Sequence, residues 1–303
     1  MTQPANEPVA IAVLGPTASG KTALAEALAD RLECRIVNAD LFQMYRGLDI
    51  GTAKPARREL YDLLDVLEPV EAFTAGRFVH LAAERCAAAY EQCRHVVVCG
   101  GTGLYVRALF EGYSLTPPPS SDERRRLRER LHEVGIERFA QESGVDLECL
   151  SQSDRRNPVR VLRAAERLAV ERCRAGSPTR DAPRWHSRRL KFALLPTREW
   201  LLPRIQRRIE EMLASGWEAE VRSLLEAGIP ETAPAFRAIG YREVAALFRG
   251  ELTQEDAVRS IETQTWQYAK RQMTWLRREP NRIELTPVED TTAHVEAICG
   301  YIS

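Results

Sequence analysis

No apolar run in this chain reaches 18 residues, which excludes a helix able to span a membrane. The opening Met1-Thr2-Gln3-Pro4-Ala5-Asn6-Glu7-Pro8 carries neither the basic nor the apolar region of a secretory signal, so a cytoplasmic location is expected. Cysteine occurs at seven positions (34, 86, 93, 99, 149, 173 and 299), never as C-x-x-C. An odd number without paired spacing fits free thiols in a reducing compartment best and argues against a zinc site. Lysine is scarce, with Lys21, Lys54, Lys191 and Lys270 set against 39 arginines. Codon bias in a GC-rich genome explains that imbalance more simply than function does. Net charge is zero at pH 7, so the overall charge points to neither nucleic acid nor a membrane surface. Repeats and low-complexity tracts are missing. What remains is an ordinary globular chain of 303 residues, long enough for one large domain or two.

Within it, Gly15-Pro16-Thr17-Ala18-Ser19-Gly20-Lys21-Thr22 fits the pattern G-x-x-x-x-G-K-[ST] in full. It follows the apolar run Val9-Ala10-Ile11-Ala12-Val13-Leu14 and leads into a helical pattern with Leu24 and Leu28 on one face. A strand, a glycine-rich turn and a helix aim several backbone N–H groups and the positive helix end at one spot. In that arrangement Lys21 reaches the outer phosphates and the Thr22 hydroxyl faces Mg²⁺, the one cofactor expected. The bland alternative is a chance Gly-Lys-Thr turn. The motif specifies a di- or triphosphate. It does not specify a nucleotide.

Strand-like runs at 9–14, 35–39 and 95–99 alternate with helical patterns at 21–32 and 78–92. That alternation predicts an α/β fold, a P-loop NTPase-like parallel sheet flanked by helices. After Tyr113 the character changes at Thr116-Pro117-Pro118-Pro119-Ser120-Ser121, where Ser121 or Asp122 is expected to cap a helix. A charged helical stretch runs on to Gly176-Ser177-Pro178, and a strand pattern at 190–195 resumes the α/β order. Residues 114–189 therefore read as a helical domain inserted into a core made of 1–113 and 190–303. The insertion holds 17 arginines and 12 carboxylates, a modest positive bias that solvated helix faces also show. Beyond Arg198 the chain is mostly helical. From Gln264 to Arg278 it has four cations, no carboxylate, and Trp266, Tyr268 and Trp275 between them. Positions 266, 269, 273 and 276 make an apolar helix face that leaves Lys270, Arg271, Arg277 and Arg278 for phosphates. An amphipathic core helix explains the same pattern, so this stretch alone does not decide between core and RNA surface.

Four further segments decide the reading together. They are Asn38-Ala39-Asp40-Leu41-Phe42-Gln43-Met44-Tyr45-Arg46-Gly47-Leu48-Asp49-Ile50-Gly51-Thr52-Ala53-Lys54-Pro55; Gly100-Gly101-Thr102-Gly103-Leu104-Tyr105; Asn157-Pro158-Val159-Arg160-Val161-Leu162-Arg163-Ala164; and Ala238-Ile239-Gly240-Tyr241-Arg242-Glu243 with the run Tyr268–Trp275. With the P-loop they resemble the tRNA dimethylallyltransferase (isopentenyltransferase) family, in its order, from residue 9 to about 278. The resemblance implies that the P-loop holds the diphosphate of dimethylallyl diphosphate, and that the C5 group passes to N6 of adenosine 37 beside the tRNA anticodon. The phosphate cradle then serves a leaving group, stabilised by Lys21, nearby arginines and Mg²⁺.

Asp40 is expected to end a strand next to the P-loop strand, at the sheet edge where α/β folds bind ligands. By position alone it serves equally as a general base or as a Mg²⁺ ligand of the kind found in small-molecule kinases. The resemblance favours the base. It also places Thr102 in the same site, where a plain helix cap is the alternative, and sets Arg204 and Arg208 near the diphosphate, where surface ion pairing is the alternative. For RNA it implies that the anticodon stem-loop is gripped between core and insertion, with the adenosine flipped into a channel. The segments implicated are Asp40-Leu41-Phe42-Gln43 with Thr102, Val159-Arg160-Val161-Leu162-Arg163, Arg237-Ala238-Ile239-Gly240-Tyr241-Arg242, and Lys270, Arg271 and Arg277. A monomer with no membrane partner is expected. Three positions depart from the family pattern: Leu41 replaces a usual Ser, Tyr61-Asp62 stand where His-His is common, and Trp266 replaces a frequent Arg. The rival readings are a P-loop kinase of a small metabolite, with Asp40 activating a hydroxyl, and a non-catalytic RNA-binding NTPase.

Overall fold

The computed structural model describes residues 7–92, 94–111, 119–173 and 188–302. Two compact units divide the chain, Met1–Tyr113 with Ala182–Ser303, and Ser114–Asp181. The stretches 112–118 and 174–187, which hold the Pro-rich entry and the Gly-Ser-Pro exit read from sequence, lie outside the described residues.

The first unit is built on six parallel strands in the order β3-β2-β4-β1-β5-β6: β1 Val9–Leu14, β2 Arg35–Asn38, β3 Tyr61–Asp62, β4 Val96–Gly100, β5 Arg188–Leu194 and β6 Arg282–Leu285. β1 lies between β4 and β5, and all six of its residues are buried. A central parallel strand is covered on both faces, which is why this run reads as apolar throughout, without alternation. Val9, Ile11 and Val13 pack in one layer with Leu24 and Leu28 of α1 (Lys21–Leu32) and with Val295 and Ile298 of α10 (Thr292–Ile302). Helices α2 (Ala75–Glu91) and α3 (Gly103–Glu111) meet through Phe78 stacked on Tyr105, ring centroids 4.5 Å apart. Helices α6 (Arg198–Ala214), α7 (Trp217–Glu226), α8 (Tyr241–Phe248) and α9 (Gln254–Leu276) complete the unit.

Several element ends differ from the sequence reading for local reasons. His95 stays outside β4 because its Nδ1 accepts the Val9 N–H at 3.1 Å. Thr74 starts α2 three residues earlier than expected, its hydroxyl accepting from the Arg77 N–H. Ser120, not Ser121 or Asp122, caps α4 (Ser121–Ser143) by accepting from the Glu123 N–H; Asp122 and Glu123 instead fill its first turn, where carboxylates suit the helix dipole. Arg188 and Arg189 pair with Val9 and Ala10 in the sheet, so the insertion ends before the expected residue 189. The departure Tyr61-Asp62 is β3 itself: the Tyr61 hydroxyl donates to Glu26 and Asp62 pairs with Arg35.

The second unit pairs α4 with α5 (Pro158–Cys173) around Leu131, Phe139, Val161 and Ala165. α4 kinks at Gly135, whose φ of 75° is outside the helical range.

Candidate active site at the carboxyl ends of the strands

Three site segments leave three neighbouring strands. The P-loop follows β1, Asp40 follows β2, and Thr102 follows β4, which lies between them in the sheet, so the Asp40 strand is one place removed from the P-loop strand and not its expected neighbour. The strand order thus gathers residues far apart in sequence at the carboxyl edge, where open α/β sheets bind ligands.

The P-loop turns into α1 through Gly20, left-handed at φ 89°, and the Lys21 ammonium donates to the Pro16 carbonyl at 3.3 Å. Burial lowers the Lys21 pKa; Asp40 opposes that shift and Arg208 adds to it. Burial likewise lowers the Arg208 pKa, again opposed by Asp40. Two half-buried cations and one half-buried carboxylate therefore share the site. The Ser19 hydroxyl, also in the P-loop, is buried without a hydrogen-bond partner among the described residues.

Asp40 is set by Asn38, which is 1% exposed. The Asn38 amide oxygen accepts from the Asp40 N–H at 3.0 Å, and its nitrogen donates to the carbonyls of Asp40 and Leu63. Oδ1 of Asp40 accepts from the Phe42 N–H at 3.2 Å. Oδ2 has no hydrogen bond among the described residues. The Thr102 hydroxyl meets the Tyr268 phenol, which burial and the charge of Asp40 push above its ordinary pKa. The Thr102 carbonyl also accepts the Tyr105 N–H at the start of α3, so Thr102 serves the helix start as well.

Lys21, Arg208, Ser19, Asp40, Phe42 and Tyr268 border two cavities within the first unit, whereas Thr102, expected in the same site, lines neither. One, of about 300 Å³, is lined by Asp40, Phe42, Gln43, Thr52, Arg237, Ala238, Ile239, Tyr268 and Arg271, with an apolar side formed by Ile205, Ile209, Met212, Trp217 and Ile261. The other, of about 440 Å³, wraps the P-loop residues Ala18 to Thr22 with Lys54, Arg204, Arg207 and Arg208. Lys21, Thr22 and Arg208 line both. A small, partly apolar pocket thus adjoins a cationic one across a shared wall. Arg204 donates to the Ala18 carbonyl at 3.1 Å and to Glu289, and lies over the Trp200 ring. Gln43 and Arg208 both donate to the Thr52 carbonyl.

Motif matching does not tell which side chains of a segment face the site, and several of the expected RNA contacts are packing residues. Tyr241 is fully buried and its hydroxyl donates to Glu220 at 2.6 Å. Gly240 backs onto Trp217, which occupies the place a Cβ would need. Val161 is fully buried and Leu162 packs in the core of the second unit. In each case apolar packing wins over exposure. Leu41 is half-buried. By contrast, Arg237, Arg242, Lys270, Arg271 and Arg277 are exposed on the first unit, and Val159, Arg160 and Arg163 on the second. Arg163 pairs with buried Glu166 at 2.5 Å, and Arg160 lies 3.6 Å from Asp154. Trp266 is only half-buried and takes Arg198 and Lys270 against its ring rather than completing the apolar face.

Gln272 lies inside the run Tyr268–Trp275 matched as an RNA segment, but the structure turns it inward. Its amide oxygen accepts from the P-loop Thr17 N–H at 2.9 Å and its nitrogen donates to the Gly101 carbonyl at 3.0 Å, so one buried side chain ties α9 to both loops. The available signal was a polar residue among inward-facing Ala269, Met273 and Leu276. On the exposed side of α9, Lys270, Arg271, Thr274, Trp275 and Arg278 form an open basic groove with Arg107, whose guanidinium lies 5.2 Å from the Trp275 ring. Arg271 borders this groove and the Asp40 cavity alike. No cluster of three or more His, Cys, Asp or Glu that would hold a metal exists among the described residues, and no described helix is long and apolar enough to cross a membrane.

With this geometry in view, comparison with known proteins is specific. The family model described as IPP transferase matches residues 43–279, and one described as isopentenyl transferase matches residues 9–67. The chain is similar to a tRNA dimethylallyltransferase of Geobacter metallireducens, 41% identical over 277 residues and 89% of each chain. It is 37% identical to a tRNA dimethylallyltransferase of Corynebacterium glutamicum over 96% of this chain and 98% of the other. Among solved structures, the full-length tRNA isopentenylpyrophosphate transferase of Bacillus halodurans superposes with a TM-score of 0.70 at 30% identity, covering 98% of this chain and 95% of that one.

Proposed function

We propose a reaction for this chain from one premise: it belongs to the IPP transferase family. The chain is a tRNA prenyltransferase, which transfers the dimethylallyl group of dimethylallyl diphosphate to N6 of adenosine 37 and releases diphosphate. The observation that carries the mechanism is the shared wall. Asp40, whose Oδ2 has no hydrogen bond among the described residues, lines the cavity that adjoins the cationic cradle across Lys21, Thr22 and Arg208.

The diphosphate occupies the P-loop cradle, with its charge met by loop N–H groups, Lys21, Arg204 and Arg208. The allyl carbon points into the neighbouring cavity toward Asp40. The adenine amine attacks that carbon, the carbon–oxygen bond breaks, and diphosphate leaves with the electron pair. The amine proton passes to Asp40 Oδ2, since an aniline-like nitrogen is a poor nucleophile that needs a base to orient and deprotonate it. Tyr268 lines the base side of the pocket with Thr102 behind it, and Lys21 and Arg208 stabilise the charge that develops on the departing oxygen.

The donor set fits a magnesium ion. The half-buried Thr22 borders both cavities, and a hard cation held by one hydroxyl plus phosphate oxygens needs no protein cage. Mg²⁺ held there by Thr22 would neutralise diphosphate charge as the bond breaks. For RNA, the exposed cations Arg237, Arg242, Lys270, Arg271 and Arg277 on the first unit, and Arg160 and Arg163 on the second, are the contacts we assign to the anticodon stem-loop. The flipped base reaches Asp40 past Arg271, which borders both groove and cavity.

Incubation with labelled dimethylallyl diphosphate, ATP and unmodified tRNA tests this reading. Label should enter the RNA while ATP stays intact. ATP consumption driven by a small metabolite, with no label in RNA, would restore the kinase reading, which the comparisons do not support.

A further inference from the structure

The most heavily committed carboxylate near the site belongs to no motif. Glu220, in the first turn of α7, accepts three successive backbone N–H groups: Asp49 and Ile50 at 2.6 Å each, and Gly51 at 3.2 Å. A fourth donor, the Tyr241 hydroxyl, reaches it at 2.6 Å. Burial and the Glu220 charge raise the pKa of that phenol, so it stays a donor. Successive N–H groups converging on one anion form a nest, and charge-assisted bonds of this kind are roughly twice as strong as neutral ones. The loop is pressed onto α7 as well, since a Cβ at Gly51 would overlap the Trp217 indole.

The loop's next residue is the functional end of this arrangement. The Thr52 carbonyl accepts from Arg208 at 3.4 Å and from Gln43 at 3.2 Å. Arg208 lies on the wall shared by the two cavities, and Gln43 lines the Asp40 cavity. Gly51 and Thr52 line that cavity too. One carboxylate on α7 is thus linked through a loop carbonyl to a guanidinium on the wall shared by the two cavities.

We propose that Glu220 is a positioning residue for the transfer reaction: by anchoring the 49–51 amides it holds the Thr52 carbonyl where it orients Arg208 toward the diphosphate. The inference rests on the reaction proposed above for its catalytic consequence, but not for its effect on phosphate binding. Glu220 itself lines neither the Asp40 cavity nor the P-loop cavity. Gln would keep its size while placing an NH₂ against backbone donors, which splays the loop.

A double-mutant cycle between Glu220→Gln and Arg208→Ala, read by calorimetric titration with inorganic diphosphate, tests it. Glu220→Gln alone should weaken diphosphate binding about tenfold, the worth of one well-placed hydrogen bond to a charged group. In the Arg208→Ala background the same change should cost less than about twofold, because the group it positions is gone. Equal losses in both backgrounds, or no loss in either, would overturn the proposal. Tyr241→Phe removes a single bond to Glu220 and should show the same non-additive pattern at smaller size, which keeps the test open if Glu220→Gln folds poorly. In transfer assays, Glu220→Gln should raise KM for dimethylallyl diphosphate with KM for tRNA unchanged within about twofold; a rise in both together would mean only general loosening. If the cycle is non-additive but the unmutated protein transfers nothing to tRNA, the positioning role stands and the reaction reading fails.

Discussion

Replacing Asp40 by Asn separates its two possible roles, because the side chain keeps its shape and loses only its charge and basicity. The Asn oxygen still accepts from the Phe42 N–H now held at 3.2 Å, and Asn38 still holds the backbone of residue 40, so the turn after β2 should persist. What disappears is an oxygen able to take a proton. A positioned general base is worth about 10²–10⁴ in rate, or about 3–5 kcal/mol of barrier. The charge change acts in the opposite direction on binding. Asp40 counters the half-buried Lys21 and Arg208, so its removal leaves the cradle more positive. Diphosphate should bind the variant at least as tightly as the unmutated protein, while single-turnover transfer falls by two to four orders of magnitude. That split marks a group acting in the transition state. Titration with inorganic diphosphate in Mg²⁺, and quenched single-turnover transfer with saturating enzyme, measure the two halves. A rate within threefold of normal would refute the base role. Diphosphate affinity lost along with the rate would make Asp40 a metal ligand instead.

Gln272→Leu should leave the Thr17 N–H and the Gly101 carbonyl without partners, costing about 1–3 kcal/mol for each group left unpaired, and should weaken diphosphate binding; denaturant unfolding and calorimetry read the two effects, and unchanged values in both would remove its bridging role. Neutralising Arg160 and Arg163 together should weaken tRNA binding, spare diphosphate binding, and lower the salt-dependence slope by roughly 0.7–0.9 per lost phosphate contact; an unchanged slope would leave those arginines as a solvated helix face. Because burial holds the Lys21 pKa below its ordinary 10.5, diphosphate affinity should fall as pH rises through that lowered value, ahead of an ordinary lysine. Asp40 raises the Lys21 pKa, so Asp40→Asn should move this fall to lower pH; a shift to higher pH would show that the two groups are not coupled as placed.

What the sequence makes legible here is what is local. The strand before the P-loop, the loop and the helix after it are contiguous, and α1 begins and ends where periodicity places it, at Lys21–Leu32. Asp40 and Thr102 stand out for the same reason, each just past a strand that reads as one. Interactions across long sequence separations are not legible. Nothing near residue 220 signals that its carboxylate receives amides 169 to 171 residues away, and nothing near Gln272 names Thr17 as its partner. Motif matching also fails to separate the faces of a segment. Arg160 and Val161 are neighbours in one matched stretch, yet one is exposed and the other fully buried, because α5 turns by about 100° per residue. The same limit applies to Tyr241, a packing residue inside a motif whose Arg237 lines the cavity.

The central claim is that the P-loop cradle serves as a leaving-group site beside a base. The most direct measurement is stoichiometric. Unmodified tRNA is incubated with the protein, Mg²⁺ and dimethylallyl diphosphate, the RNA is digested to nucleosides, and released diphosphate is counted in the same tube. The account predicts one N6-dimethylallyl adenosine, located at position 37, for each diphosphate released, with none formed on a tRNA carrying guanosine there. Diphosphate released without modified adenosine, or modification spread over other adenosines, would contradict it.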